Sequence, residues 1–292
     1  MAKVDPYKLH LVPFGPLSNC TLEYCPLEWS IFRYQPSIPG NALFVAIFAL
    51  LLAAHAFQGI RYKTWGYMGC MVAGCILEII GYIGRILLHD NPFDFNAFLI
   101  QIICITVAPV FYCAAVYVLL TQVILLLDKS ISRFDPRFFY WVFIPADVTA
   151  LVLQATGGAL SSMGKTKNDV DVGVNISKAG LIFQVVVLTL FLILFVDYLL
   201  AYRRKHGLNL PKRMHVFLGF MFLAVFFILI RCVYRIVELK DGYFGPLFRE
   251  QVEFMVLEAA IICIAVLCLN IGHPGRALPH LKKEPADDIA LQ

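Results

Sequence analysis

Ionisable and hydrogen-bonding side chains recur at helical spacings inside the long apolar runs of this chain. Glu78, Tyr82 and Arg85 are spaced by four and three residues, so a helix would carry them on one face. Arg231, Arg235 and Glu238 repeat that spacing, and Asp147 and Gln154, seven apart, share a stripe. Glu253 and Glu258 fall about 140° apart on a helical wheel and need not share a face. A charge at membrane depth costs about 2.5–3.5 kcal/mol, so such residues face a polar interior or a pathway. Two chemistries follow. Acids and bases on neighbouring helices can pair and fix packing. Alternatively, they can line a cavity that binds the charged head of a substrate or relays protons.

Other chemistries are excluded by pattern. Gly164-Lys165-Thr166 ends like a phosphate-binding loop, but Ala159 stands where that loop needs glycine. The last apolar run has no lysine for a retinal Schiff base and no Asn-Pro-x-x-Tyr, and the third ends Thr121-Gln122-Val123 where a G-protein-coupled receptor carries an acidic residue, Arg and Tyr. Of the histidines only His55 lies well within a run, with His215 at the edge of another, so no metal site or metal hydrolase centre is expected. No cofactor motif is present, no Ser/His/Asp set can be argued from spacing, and no enzyme activity is expected.

The elements that must hold these residues are membrane spans. The chain of 292 residues is 60% hydrophobic and 15% charged, whereas soluble domains are about half apolar and a quarter charged. The formal charge of +4 is mild and no nucleic-acid module is visible, so no nucleic-acid partner is expected. Apolar runs predict helices at 41–60, 66–88, 95–127, 139–161, 178–201, 214–238 and 250–272. The fold class is an all-α integral membrane protein with seven transmembrane helices. Residues 1–40 form a tail, 41–272 the helical domain and 273–292 a second tail, which starts with the helix stop His273-Pro274-Gly275 and then reads as disordered. No run precedes Pro39-Gly40, so no cleavable signal peptide is expected. The longest polar connections are 162–177 and 202–213. Pro109 and Pro145 sit inside the third and fourth helices, where they permit kinks. Gly66, Gly69, Gly74, Gly81, Gly84 and Gly157-Gly158 are expected to let helices approach closely.

Charge gives the orientation. Arg61, Lys63, Lys129, Arg133, Arg137, Arg203, Arg204, Lys205, Lys212, Arg213, Arg276, Lys282 and Lys283 fall on one side. Lys3, Lys8, Arg33, Lys165, Lys167, Lys240 and Arg249 fall on the other, with Lys178 at the boundary. The richer side is expected to be cytoplasmic, which places the N-terminus outside and the C-terminus inside. Two glycosylation sequons, at Asn19 and Asn175, both fall on the outer side. Cys20 and Cys25 lie in the outer tail, where they can close a short disulfide loop or stay free, while the other cysteines read as packing residues. Asp197, near the inner end of the fifth helix, is placed to reach the interface or to pair with Arg203 or Arg204.

The chain resembles the fungal lipid-translocating exporter family, seven-helix proteins linked to aminocholesterol resistance, sphingoid-base export and porphyrin uptake. The resemblance spans about Asn19 to Gly275. It rests on Asn19-Cys20-Thr21 with Cys25-Pro26, Tyr34 with Pro36-Ser37, Glu78 with Gly81-Tyr82 and Arg85, and Ala108-Pro109-Val110-Phe111 with Ala115 and Tyr117. It continues through Asp147 and Gln154 before Gly157-Gly158, Gly180-Leu181 with Gln184, Arg231 with Tyr234-Arg235 and Glu238, Gly242 and Gly245, and Asn270 with His273-Pro274-Gly275. The chain departs from the family pattern at Gln122, Ala150, Cys232, Met255 and Glu258, which bears on the substrate more than on the fold.

That resemblance implies movement of an amphiphilic lipid, foremost a sphingoid long-chain base. A cationic amine head would suit Glu258, Glu253, Asp147 and Glu78, oriented by Gln154 and Tyr82, with Arg231, Arg235 and Arg85 balancing the acids or meeting an anion. The alternatives are a porphyrin or haem transporter, whose carboxylates would prefer the arginines, and a seven-helix lipid sensor or receptor. The partners expected are the bilayer and an amphiphilic small molecule. The family implies a fungal plasma membrane, or a vacuolar one.

Overall fold

A computed structural model describes residues 11–164, 166–207, 210–242 and 245–278. Lys3, Lys8, Lys165, Lys282 and Lys283 of the charge pattern lie outside the described residues, as does the tail from 279 on, including its expected disorder.

Seven helices are long and apolar enough to cross a membrane. They are α1 (Ile38–Tyr62), α2 (Trp65–Asp90), α3 (Phe95–Leu127), α4 (Pro136–Met163), α5 (Lys167–His206), α6 (Lys212–Glu238) and α7 (Gln251–Ala277). Among the described residues there is no strand. Local chemistry sets the starts. Ser37 caps α1 by accepting from the Gly40 amide at 3.4 Å, with Pro39 in the first turn, so α1 opens ahead of the expected residue 41. Asp94 caps α3 and Asp135 caps α4, which begins with Pro136. Lys63 ends α1 in the left-handed region, at φ 57°.

The fifth helix departs most from the expectation. The polar stretch 167–177 is helical and not a loop, because Thr166 and Asp169 form a reciprocal capping box at its start. At 40 residues, α5 is about 60 Å long, twice the thickness of a hydrocarbon core. Asn175 therefore lies on a helix, and Ser177 of its sequon is buried with its hydroxyl donating to the Gln154 carbonyl at 3.1 Å.

Each helix packs against the next in sequence, and α7 returns against α1, closing a ring. α3 leans inward against α6. Glycines set two close pairs. A Cβ on Gly74 would meet the Tyr112 ring at 2.3 Å, and one on Gly84 the Gln101 amide nitrogen at 3.1 Å, so α2 lies tight on α3. A Cβ on Gly157 would lie 2.4 Å from the Ser177 amide nitrogen, and one on Gly173 equally near that of Ser161, so the α4 and α5 backbones nearly touch. The outward faces carry bare apolar side chains such as Leu50, Phe57 and Ile193, as lipid contact requires and water would not tolerate. α7 is not uniform: Phe254–Ala260 winds as a π-helix between α-helical turns. Its end is ordered too, since His273 caps the short turn Pro274–Ala277 and Gly275 lies against the Tyr62 ring.

Residues 11–37 fold over the N-terminal face. Phe14 sits edge-on to Phe95 and Phe98, at 5.3 and 5.4 Å between centroids. Cys20 and Cys25 are disulfide-bonded, with Cα atoms 5.6 Å apart, and are buried beside Phe93.

On the C-terminal face the α3–α4 connection is tied to the end of α5. Asp128 accepts from Lys205 at 2.9 Å and lies 3.0 Å from the His206 ring. Asp197 pairs with Arg133 at 2.8 Å and not with its helical neighbours Arg203 or Arg204. Hydrogen bonds from Ser130, His206 and Lys205 hold the Asp128 carboxyl well below the usual carboxylate range. Its contribution is therefore present above the ordinary carboxylate pKa and is lost only in strong acid. Asp128→Asn is expected to free residues 128–135 without unfolding the bundle. Hydrogen exchange should quicken in that connection and stay unchanged in α3; equal exchange in both proteins would show that the contact does not order the loop.

Candidate functional site

Three of the polar clusters in the apolar interior hold the buried charged residues that spacing singled out. In the first, Arg231 of α6 is fully buried, and its Nε donates to Glu258 Oε1 of α7 at 3.0 Å. Its Nη2 donates to the same oxygen and to the Ile105 carbonyl of α3 at 2.9 Å. The π-helical segment carries Glu258, a geometry frequent at functional sites. Glu78 of α2 faces this pair, is 1% exposed, and neither of its carboxylate oxygens meets a hydrogen-bond donor among the described residues. Tyr82, one turn on, stacks against Phe44 and Phe48 of α1 at 5.4 and 5.8 Å.

The second cluster lies nearer the N-terminal face. Arg235 pairs with Glu238 within α6. Arg85 is wholly buried and has no carboxylate in contact among the described residues; aromatic faces hold it. Its guanidinium lies 3.8 Å from the Phe254 ring centroid, 5.1 Å from Phe32 and 5.9 Å from Tyr34, and it donates to the Tyr34 hydroxyl. Burial pushes the Tyr34 phenol above its ordinary pKa, with the Arg85 charge opposing, so the phenol stays protonated. Arg85, Arg235, Glu238 and Gln101 line a void of about 10 Å³ closed by Ile105 and Phe254.

The third cluster joins α3, α4 and α5. The Tyr117 hydroxyl donates to Asp147 at 2.8 Å, and the Gln154 amide donates to Gln184 at 3.0 Å. Beside it lies a crevice of about 300 Å³ walled by α3 and α4. Its sides are apolar, with Phe98, Ile102, Leu151 and Leu181, and Pro16 of the N-terminal segment completes them. Its polar groups are Gln154, Ser177, Ser162, Thr106 and Arg235. Ile103 and Met163, both exposed, also line it, so it reaches the lipid-facing surface. Ile102, Thr106 and Arg235 border both the crevice and the small void, so the two are neighbours.

Of the residues that spacing singled out, Glu78, Tyr82, Arg231 and Glu258 come together in one cluster, and Arg85 and Arg235 in another. Gln154 reaches the crevice, while Asp147 lies with Tyr117 and is not among the lining residues. Glu253 is exposed on α7 and joins none of them. Sequence reasoning passed over Gln101, Thr106, Phe32 and Phe254. Gln101 could have been found, as a polar residue on the helical face it shares with Ile105 and Ala108. The role of Phe32 depends on how the N-terminal segment folds back, which no spacing records.

No solved structure gives a significant match to the chain. The curated proteins do. The sphingoid long-chain base transporter RSB1 of Saccharomyces cerevisiae strain Lalvin EC1118 is 34% identical over 83% of this chain and 72% of its own length. Protein RTM1 of Saccharomyces cerevisiae is 28% identical over 84% of this chain and 92% of its own. Protoporphyrin uptake protein 1 of strain S288c is 28% identical over 68% of this chain and 66% of its own. A family model described as RTA1 like protein matches residues 71–281, and the chain belongs to that family, the fungal lipid-translocating exporters.

Proposed function

We propose that this protein carries an amphiphilic lipid, a sphingoid long-chain base or a close relative, across the membrane it spans. The observation that carries this reading is the crevice between α3 and α4. An apolar wall open to the lipid suits an acyl tail, and the polar end at Gln154, Ser177 and Arg235 suits a hydroxylated head. The amine of such a head has Glu238 next to Arg235, with Glu258, Glu78 and Asp147 deeper in the bundle. Similarity to a protein named as a sphingoid base transporter supports the same choice. The chain acts as a carrier and not as an enzyme, without a nucleic-acid partner. The N-terminal face lies outside and the C-terminal face in the cytoplasm of a fungal plasma membrane. The basic excess on the C-terminal side supports this orientation, as does the disulfide on the N-terminal side.

A second reading has one observation in its favour. Arg235 is the charged residue lining the crevice among those described, and Arg85 stands behind it, an arrangement that suits the carboxylates of a porphyrin. Flux of a labelled sphingoid base across liposomes holding only the purified protein tests both. Wild type should move the base, and Ala155→Trp, which fills the lipid-side wall of the crevice without entering the core, should cut the rate at least tenfold. Porphyrin should compete weakly. Flux untouched by Ala155→Trp would remove the crevice from the pathway, and porphyrin flux in place of base flux would favour the second reading.

A further inference from the structure

Two interior clusters hold buried ionic groups. Near the N-terminal face Arg235 pairs with Glu238, and Arg85 is held by aromatic faces. Deeper in, Arg231 pairs with Glu258, and a second carboxylate, Glu78, lies within its electrostatic reach without touching it. The Nε and Nη2 of Arg231 are engaged by Glu258 and the Ile105 carbonyl, while its Nη1 meets no acceptor among the described residues. Glu78 is left with both oxygens unpaired among the described residues, at 1% exposure. A guanidinium cannot give up its proton in a protein. A second ionised carboxylate in a dry interior, without donors, costs several kcal/mol, and binding one proton removes that cost.

We propose that Glu78 and Glu258 form a proton-binding site, holding one exchangeable proton between them opposite Arg231, and that this proton is exchanged as the lipid is carried. The coupling half of the proposal rests on the transport reading above; the proton site itself does not. The groups facing Glu78 from each packed element are known. They are Cys75 and Tyr82 on its own helix, Cys104 and Tyr112 on α3, Arg231 on α6, and Glu258 and Cys263 on α7. Arg231 is the only cation among them, so the ionised state of the site holds one negative charge in excess and the protonated state none.

The site is also placed to communicate. Ile105 accepts from Arg231 through its carbonyl while its side chain borders the void that Arg85, Arg235 and Gln101 line. That void adjoins the crevice. One residue layer therefore separates the proton site from polar groups next to the lipid path. The π-helix that carries Glu258 packs its Phe254 on Arg85, so a rearrangement of that segment moves both clusters together. An ammonium head drawn towards the carboxylates replaces the proton charge for charge, with the carboxylic O–H bond broken and the proton released to water.

Infrared difference spectra of the purified protein in detergent, wild type against Glu78→Gln, read the site directly. Asp147 is common to both proteins and cancels. The carbonyl stretch of a protonated carboxylic acid should be present in wild type near neutral pH, shift in heavy water, fade as pH rises and be absent from the variant. A difference spectrum that shows only an ionised carboxylate lost would overturn the proton site. In liposomes, a pH gradient of one polarity should speed sphingoid base flux several-fold and the opposite gradient slow it, and Glu78→Gln should lose that dependence. Wild-type flux indifferent to the gradient would overturn the coupling. No wild-type flux at all would count against the transport reading, and the infrared result would still decide the proton site.

Discussion

The Glu78→Gln/Glu258→Gln double variant is expected to be less stable than wild type by about 3–5 kcal/mol, and by much more than the two single variants together. Glutamine has the shape of a protonated glutamic acid, so Glu78→Gln alone replaces a neutral group by a neutral group. Glu258→Gln removes the carboxylate that holds Arg231, but Glu78 faces the same guanidinium and can give up its proton to take over the pairing. Only the double variant leaves a permanent cation, fully buried, without a counter-charge. The measurement is a double-mutant cycle on unfolding in detergent micelles. Single-variant losses that simply add would mean that Glu78 and Glu258 do not exchange roles, and the shared proton would have no support. Loss of expression in the double variant alone, with both single variants folded, is the same result in coarser form.

The second large effect is steric. Gly157→Val or Gly173→Val should force α4 and α5 apart. A Cβ at Gly157 would sit 2.4 Å from the Ser177 amide nitrogen and 2.5 Å from the Gly173 carbonyl oxygen. Those obstacles are backbone, which cannot turn aside as a side chain can. Overpacking costs about 1–3 kcal/mol where neighbours can shift, and a rigid backbone contact puts these variants at or above the upper end. Flux should fall as well, because Gln154 and Ser177, which line the crevice, sit on the two helices being separated. The control is Gly69→Ala on α2, where an added methyl meets nothing within 4 Å. It should be neutral or stabilising by up to about 1 kcal/mol from helix propensity. Equal melting temperatures for Gly157→Val and Gly69→Ala would show that the α4–α5 contact is not tight in the membrane.

The spans were legible because a bilayer demands long uninterrupted apolar runs, and all seven run lengths exceed what crossing needs. Helix ends were less so. The start of α5 is polar, and hydropathy alone reads polar residues as loop; the capping box at Thr166 and Asp169 was a local signal of the true start. Spacing put Glu78, Tyr82 and Arg85 on one helix face and Arg231 and Arg235 on another, and all five are buried. It did not choose partners, since several acids and arginines at similar depth can pair in more than one way. Asp197 shows this: two arginines follow within its own helix, yet it pairs with Arg133 from another segment. Glu253 and Glu258 look alike as acids of one run, but five residues of rotation separate them, and only Glu258 turns inward. The π-helical winding has no readable sequence signature here.

The crevice opens sideways, through Ile103 and Met163, onto the hydrocarbon. A substrate that enters there arrives by diffusion within the leaflet. What saturates the protein is then its mole fraction in that leaflet, so diluting the bilayer with inert lipid slows transport even when the amount of substrate per cell is unchanged. Enzymes that alter how much long-chain base a membrane dissolves would act on the rate as directly as a change in the protein itself.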